Sequence, residues 1–551
     1  MKEILQNCNE VSFSVQRIKK EASEREKKQP LIQRIIRSLS KSDKPFREII
    51  FSHELTENRV ALLEDGILER YEFEISGKRN AVGAIYRGKI QNLQPGLKAA
   101  FVDIGEEKNA FLHYWDIVPE VSEKAFEVTR RNSKKSSRQI TLDDIPKIYP
   151  IGTDIMVQVI KAQIGTEGPR VTTNISLPGK CLVLMPFSDE CGISKKIDGE
   201  SERSRLRGII DKLTIPDGMG VIIRTAGVGK KIRHFVRDLY MLLQEWQSVC
   251  ERYNNSEEPS VIHIEPDLAE RTVRDFLTDD VDRIIVNDED CFDKMIKLVS
   301  VVSPRSKQKF NLFTESVPIF ERFNVERQVE QTFRRRVPLS CGGEIVIHET
   351  EALTAVDVNT GNFKIHDGDN SKFIYDLNYE ACKEIARQIR LRNIGGLIVV
   401  DFIDMLSKRD RSEIFFLMRN ELSKDSARNF VLPISQLGLM EISRQRHSQS
   451  NSKEMCTTCQ YCNGDGITKS PRTICNEIYR KISGFLQQKR VEVLPENCIH
   501  VEISVNNAVL DKMKMDEAIL LKIEDRFNAK FTFHADASLH IETYKISCST
   551  K

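Results

Sequence analysis

The sequence lacks any apolar run approaching the roughly 20 residues of a membrane-spanning helix, which excludes a helical span. It lacks an apolar leader as well. The opening stretch MKEILQNCNEVSFSVQRIKK has neither a hydrophobic core nor a small-residue cleavage site, so export is not expected. There is no excess of charge of one sign. The 551 residues carry 83 Lys and Arg against 81 Asp and Glu, and a formal +2 indicates no partner of opposite charge. A dense cysteine framework is missing too. Of 13 cysteines, ten lie singly and three fall within seven residues, which excludes a disulfide scaffold and fits a reducing compartment with one metal site. Internal repeats are absent.

What is present describes a folded chain, 40% hydrophobic and 30% charged. At roughly 100–200 residues per domain it holds about three to five domains. Residues 1–45 carry 11 Lys and Arg against 6 acids, a local +5. Leu31, Ile32, Ile35, Ile36 and Leu39 line one helical face, so a solvated basic tail with one short helix is expected. An RNA-touching arm or a partner-binding helix is the alternative, and the glutamates argue against a transit peptide.

From Phe46 the pattern turns globular. Arg59–Leu63 and Tyr71–Ile75 read as strands around an Asp65-Gly66 turn. Ala84–Ile90, Ala99–Ile104 and Ala110–His113 are short strands with Gly88, Gly96 and Gly105 at corners, the pattern of a small barrel. A basic loop with Arg130, Arg131, Lys134, Lys135 and Arg138 precedes a strand at Asp154–Lys161. Further on, Val221–Thr225 reads as a strand and Arg237–Tyr253 as a helix. Residues 340–440 alternate: strands Glu344–Ile347 and Ala352–Val358, helix Asn378–Leu391, strand Leu397–Phe402, helix Arg411–Leu422.

Asp357, Asn359, Asp401 and Asp404 form the strongest constellation. Asp357 and Asp401 each end a strand, and Leu397–Val400 reads as apolar on both faces. Acids at neighbouring strand ends project into the crevice where ligands bind. Two carboxylates and an amide oxygen are hard donors suited to a hydrated Mg²⁺, which can hold a phosphate oxygen and acidify a water. The plainer alternative is helix capping or pairing with Arg. Gly227-Val228-Gly229-Lys230 resembles a phosphate loop but fails it, because Arg224 and Lys231 stand where Gly and Ser or Thr are needed. Arg224 and Thr225 can still clamp a terminal phosphate. Phe101 and Phe111 are either stacking surfaces for bases or core residues, with Arg87, Lys89, Lys98 and Lys161 as basic neighbours. Cys456, Cys459 and Cys462, followed by Asn463-Gly464-Asp465-Gly466, read as half of a tetrahedral zinc site. Either Cys456 and Cys475 complete it within the chain, or two chains each give Cys459 and Cys462.

Together these segments resemble the ribonuclease E/G family. The likeness rests on IYRGKI (85–90), AFVDIG (100–105), IRTAG (223–227), EALTAVDVN (351–359), EIARQIRLRNIGGLIVVDFIDM (384–405), GLMEISRQR (438–446) and the knuckle, in that order, and spans about residues 46–551. It implies an α/β multidomain chain. An RNase H-like domain in two parts (46–79 and 270–332) holds an inserted S1-like OB barrel (80–170) and a 5′-phosphate sensor (171–269). A DNase I-like catalytic domain (333–455), a zinc knuckle (456–468) and a small α+β C-terminal domain (469–551) follow. The 1–45 basic extension and the 130–138 loop have no counterpart.

The resemblance implies a cytoplasmic, single-strand-preferring RNA endonuclease of rRNA and tRNA maturation and mRNA decay. Its implied products are 5′-phosphate and 3′-hydroxyl ends. Asp357 and Asp401 would hold Mg²⁺, with Asn359 orienting Asp357 or the water. Arg224 and Thr225 would sense a 5′-monophosphate, and Phe101, Phe111, Lys161 and Arg428 would contact RNA. Zn²⁺ would be shared between two chains through Cys459 and Cys462, building a homodimer or homotetramer. Three departures stand out. Gln460 replaces a frequent Pro, Cys456 is extra, and Glu167 reverses the charge of a barrel lysine, for which Arg170 can substitute. The long C-terminal scaffold tail of some members is not expected. The competing reading is a non-catalytic RNA-binding or assembly protein on the same scaffold.

Overall fold

Asp65 and Gly66 both take positive φ, 49° and 82°, the backbone of the tight hairpin that an Asp-Gly pair favours. They join strands Glu57–Glu64 and Ile67–Ile75, so both strands run longer than the sequence pattern predicts. The computed structural model describes residues 2–27, 44–77, 81–117, 126–131, 142–163, 168–197, 199–361, 370–445, 449–489 and 499–550. They fall into two units, Met1–Glu454 and Met455–Lys551. Among the described residues no helix is long and apolar enough to cross a membrane.

The first unit is built on four sheets. In the first, Arg47–His53 lies between Glu57–Glu64 and Arg283–Val286, which pairs with Phe310–Leu312. Chain segments more than 200 residues apart thus share one sheet. A second set of strands closes on itself in the order Ile85–Gln94, Ala99–Asp103, Ala110–His113, Arg170–Thr172 and Asp154–Lys161, which pairs back to the first. This is a five-stranded barrel of the OB-like kind. Its interior is filled by Ala100, Val102, Ala110, Leu112 and Val157, all buried. Gly88 is required where two strands cross, because a Cβ there would stand 2.5 Å from Val102.

Residues 126–131 do not continue as a loop. Phe126–Arg131 is a strand that leaves the barrel and pairs with Glu190–Ser194, at the edge of the third sheet. Arg130 and Arg131 are therefore strand residues, while Lys134, Lys135 and Arg138 lie outside the described residues. The other strands of this sheet are Leu177–Pro178, Leu182–Met185 and Gly220–Ile223. Helix Ile232–Asn255 packs against it through Phe235, Leu239, Leu242 and Trp246.

The fourth sheet orders Arg336–Pro338, Glu344–Glu349, Leu353–Asn359, Gly396–Asp401, Leu439–Arg444 and Asn429–Val431. Helices Asn370–Leu391 and Lys408–Ser423 cover one face, burying Ile347, Val356, Val358, Ile398 and Val400 against Ile385, Ile389, Ile414 and Met418. Leu397–Val400 is apolar on both faces, yet only one of them is buried. Leu397 is 45% exposed, because helices pack on one side only. The sheet thereby alternates in the manner of a half-buried strand.

The N-terminal segment also departs from expectation. Lys2–Lys27 is one helix, and its last third docks on the first sheet instead of trailing in solvent. Ala22 is buried, and Arg25 donates to Glu48 at 2.9 Å, a carboxylate with no exposed surface that Arg283 also binds at 2.6 Å. Burying that acid is tolerable only with such partners. Leu31, Ile32, Ile35, Ile36 and Leu39 lie outside the described residues.

The second unit folds helices Pro471–Lys489, Asn507–Met515 and Glu517–Phe527 against the strands Ala529–Ala535, Ile499–Val505 and Lys545–Thr550. Its core includes Ile478, Ile482, Val501 and Ile503.

In the fourth sheet Arg444 donates to Asp425 at 2.6 Å, both side chains being at most 6% exposed. Arg444→Met leaves that carboxylate buried without its partner. The substitution is expected to lower stability by about 3–5 kcal/mol, read as a reduced urea midpoint.

Candidate active site and nucleic-acid interface

Parallel pairing sets Asp357, two residues before the end of its strand, directly opposite Asp401, the last residue of the neighbouring one. Both side chains are exposed. Asn359 donates its Nδ2 to Asp357 Oδ2 at 2.7 Å, which fixes that carboxylate relative to the sheet. Asp404 follows in the next loop. A Cβ on Gly438, which has φ +83°, would come within 3.3 Å of its Oδ1. Partial burial first, then the neighbouring charges of Asp357 and Asp404, pushes the Asp401 carboxyl above the ordinary carboxylate range. Like charges crowded at a strand end are relieved by a divalent cation. The all-oxygen donor set suits Mg²⁺, which keeps much of its water and takes few protein ligands. Among the described residues no three or more His, Cys, Asp or Glu form a metal-holding group, so water would have to complete the coordination.

Arg224 follows the strand Gly220–Ile223, and Thr225 opens a short 3₁₀ turn. Asp238 accepts backbone N–H bonds from Lys180, Cys181 and Leu182, at 3.1, 2.7 and 2.8 Å, and so pins the facing strand. Against that strand the Arg224 N–H donates to Cys181 O, and its guanidinium bonds Gly179 O. The guanidinium also donates to Asp275 at 2.8 Å. The sequence gives no sign of Asp275, which lies 51 residues further along the chain. The pairing is visible only once Thr272–Phe276 lies beside the residue that follows strand Gly220–Ile223. A groove of about 4710 Å³ passes Arg224 and Thr225 and is also lined by Lys196, Arg334, Arg419 and Arg428. Asp357, Asp401, Phe101 and Phe111 do not line it. Arg224, Thr225 and Arg428 therefore line one groove, and Asp357 and Asp401 are not among its lining residues.

On the barrel, Phe101 and Phe111 are cross-strand partners with ring centroids 5.8 Å apart. Both are partly exposed while their sequence neighbours are buried, so they face outward rather than fill the core. Lys161 pairs in register with Arg170, which pairs with Phe111. Arg170 thus stands beside the aromatic pair, but its guanidinium donates to Asp116 at 2.8 and 3.0 Å. Glu167 lies outside the described residues. Arg87 does not join a phosphate-tracking surface. Its guanidinium bonds Asp154 at 2.7 Å and Tyr253 O at 3.1 Å, tying the barrel to the end of helix Ile232–Asn255.

In the second unit Cys456 and Cys459 are exposed and Cys462 is partly so. Backbone N–H groups of Cys462 and Tyr461 hold the Cys459 thiol below its ordinary range. The loop is docked by a hydrogen bond between Tyr461 O and His540 Nε2 at 2.6 Å. Cys475 cannot complete a site with them. It is fully buried among Ile474, Ile478 and Val509, and its thiol donates to Val509 O at 3.6 Å.

A family model described as the ribonuclease E/G family matches residues 176–447. Ribonuclease G of Escherichia coli (strain K12) is 38% identical over 435 residues, covering 79% of this chain and 87% of that protein. Ribonuclease G of Haemophilus influenzae is 37% identical over the same shares of each. Ribonuclease E of Escherichia coli (strain K12) is 35% identical over 438 residues, 79% of this chain but 40% of that longer protein. With the register of the paired acids, the outward aromatics and the closed barrel, these likenesses establish that the chain belongs to the ribonuclease E/G family.

Proposed function

We propose that this chain is a Mg²⁺-dependent endoribonuclease that prefers single strands and is stimulated by 5′-monophosphate ends. Its products carry 5′-phosphate and 3′-hydroxyl termini, and its tasks are rRNA and tRNA maturation and mRNA decay in the cytoplasm. Family membership supports the coarser statement, an endoribonuclease of RNA processing. The observation that carries the finer one is the side-by-side placement of Asp357 and Asp401, with Asn359 bonded to the first.

Asp357 and Asp401 are the residues that would hold the cation. When bound, Mg²⁺ supplies neutralisation of phosphate charge and a water of lowered pKa. The chain's own residues position the substrate. Asn359 keeps the Asp357 carboxylate in one orientation, Arg428 places a guanidinium for a phosphate oxygen, and Phe101 and Phe111 stack unpaired bases. Arg224 and Thr225 receive a 5′-phosphate, whose oxygens then share Arg224 with Asp275. Asp357 and Asp401 do not line the groove of Arg224 and Thr225, and an assembly of at least two chains fits this reading. Cys459 and Cys462 supply two thiolates, half of a tetrahedral Zn²⁺ set, and a second chain would supply the rest.

Three outcomes test the proposal. Asp401→Asn is expected to slow cleavage of a 5′-phosphorylated oligoribonucleotide by on the order of 10²-fold or more. A wild-type chain that binds this RNA with Mg²⁺ present and never cuts it would instead be the non-catalytic assembly protein. The 5′-monophosphate form of an unstructured substrate is expected to be cut faster than its triphosphate twin, and Arg224→Ala to abolish the difference. Metal analysis is expected to give about half a zinc per chain, lost in Cys459→Ser and kept in Cys475→Ser. One zinc in a monomer would refute the shared site.

A further inference from the structure

The outward face of the barrel carries more aromatic surface than the Phe101–Phe111 pair. Strand Ala110–His113 alternates buried and outward residues, so Phe111 and His113 point the same way. Their ring centroids are 6.1 Å apart. The chain then enters the 3₁₀ turn Tyr114–Asp116, and the His113 ring accepts the backbone N–H of Trp115 through Nδ1 at 3.3 Å. That bond helps set the Trp115 indole nearly flat on the imidazole, with centroids 3.8 Å apart and planes 24° from parallel. Phe101, Phe111, His113 and Trp115 thus make one unbroken run of rings.

Trp115 is 41% exposed, whereas Trp246, the other tryptophan, is 7% exposed in a core. One indole face rests on His113, and the side chain stays open to solvent. Large apolar rings are left open in this way where they meet a partner. Cations flank the run. Arg170 pairs with Phe111 in the sheet and is held by Asp116, the residue after Trp115. Lys98 precedes Ala99, the register partner of His113. A run of outward rings edged by cations, ending in an indole laid flat on His113, matches a strand of unpaired nucleotides, whose bases stack on open ring faces and whose phosphates follow the charges. A duplex hides its base faces and offers none to the open indole.

We propose that Trp115, seated on His113, is a further base-stacking platform that extends the Phe101–Phe111 track by at least one unpaired nucleotide. The proposal rests on the reading of the barrel as an RNA-binding surface. Because the imidazole already holds the indole flat, little side-chain freedom is lost when a base arrives. The platform therefore acts on binding and leaves the chemical step alone.

The chain carries its own reporter. In the full-length Asp401→Asn chain, an unstructured 5′-phosphorylated oligoribonucleotide is expected to quench tryptophan emission, and Trp115→Phe to abolish the quench. In the otherwise unaltered chain, Trp115→Ala is expected to raise KM about 10-fold with kcat unchanged. Trp115→Phe should restore most of the loss and Trp115→Leu should not. Normal cleavage with no quench, or a Trp115→Ala KM within about twofold of the original, overturns the platform and leaves the endonuclease reading standing. Failure of the unaltered chain both to bind and to cut overturns the two together.

Discussion

Two carboxylates stand side by side because two parallel strands hold them there. The register that aligns Leu353 with Leu397 also aligns Asp357 with Asp401, four residues further along each strand. Their repulsion is paid by the sheet, whose buried face fixes both backbones through Val356, Val358, Ile398 and Val400. A one-residue slip would turn one acid toward the helices, where an unpaired charge is not tolerated. The site is therefore a consequence of core packing. Helices on one face only are part of the same arrangement, since they leave the face that carries both acids open.

The sheet that carries Glu190–Ser194 and Gly220–Ile223 is tied to this one by hydrogen bonds rather than by a shared core. Lys196, just beyond the strand Glu190–Ser194, donates to the carbonyl oxygens of Asp425, Ser426 and Ala427 at 2.7, 2.8 and 3.3 Å. From the other side Arg444 binds the Asp425 carboxylate. The turn between them leads straight into Arg428, whose carbonyl accepts Gln445 N–H at 2.8 Å. Elsewhere Arg390 pairs with Glu69 at 2.7 Å and Arg387 donates to Leu68 O at 2.6 Å, linking the long helix to the first sheet. Directional bonds of this kind fix orientation while adding little apolar area, which suits lobes that frame a groove.

Much of the site was legible because its residues sit inside strands with clear patterns. Asp357 and Asp401 end apolar runs, and alternation alone puts Phe101 and Phe111 on one face each of adjoining strands. Asp275 and Lys196 were not legible, because each acts on a segment distant in the chain and neither sits in a motif. His113 and Trp115 were missed for another reason. A His followed by Tyr and Trp reads as the end of a strand, and only the turn geometry lays one ring on the other. The basic tail misled because composition registers charge and not docking. Arg25 is one of those basic residues, yet it is spent on the buried Glu48. Strand Phe126–Arg131 misled similarly, since its charged end resembles a loop until its pairing partner is known.

The first sheet also imposes an order of assembly. Arg47–His53 emerges from the ribosome early, but its parallel neighbour Arg283–Val286 lies some 230 residues later. At about 5–20 residues per second, the central strand waits roughly 10–50 s for that edge to be filled. Glu48, on the same strand, waits as long for Arg283. Meanwhile the docked N-terminal helix, made still earlier, can hold Arg25 against Glu48. Of the two cations that bind Glu48, Arg25 is thus available throughout that interval and Arg283 only at its end.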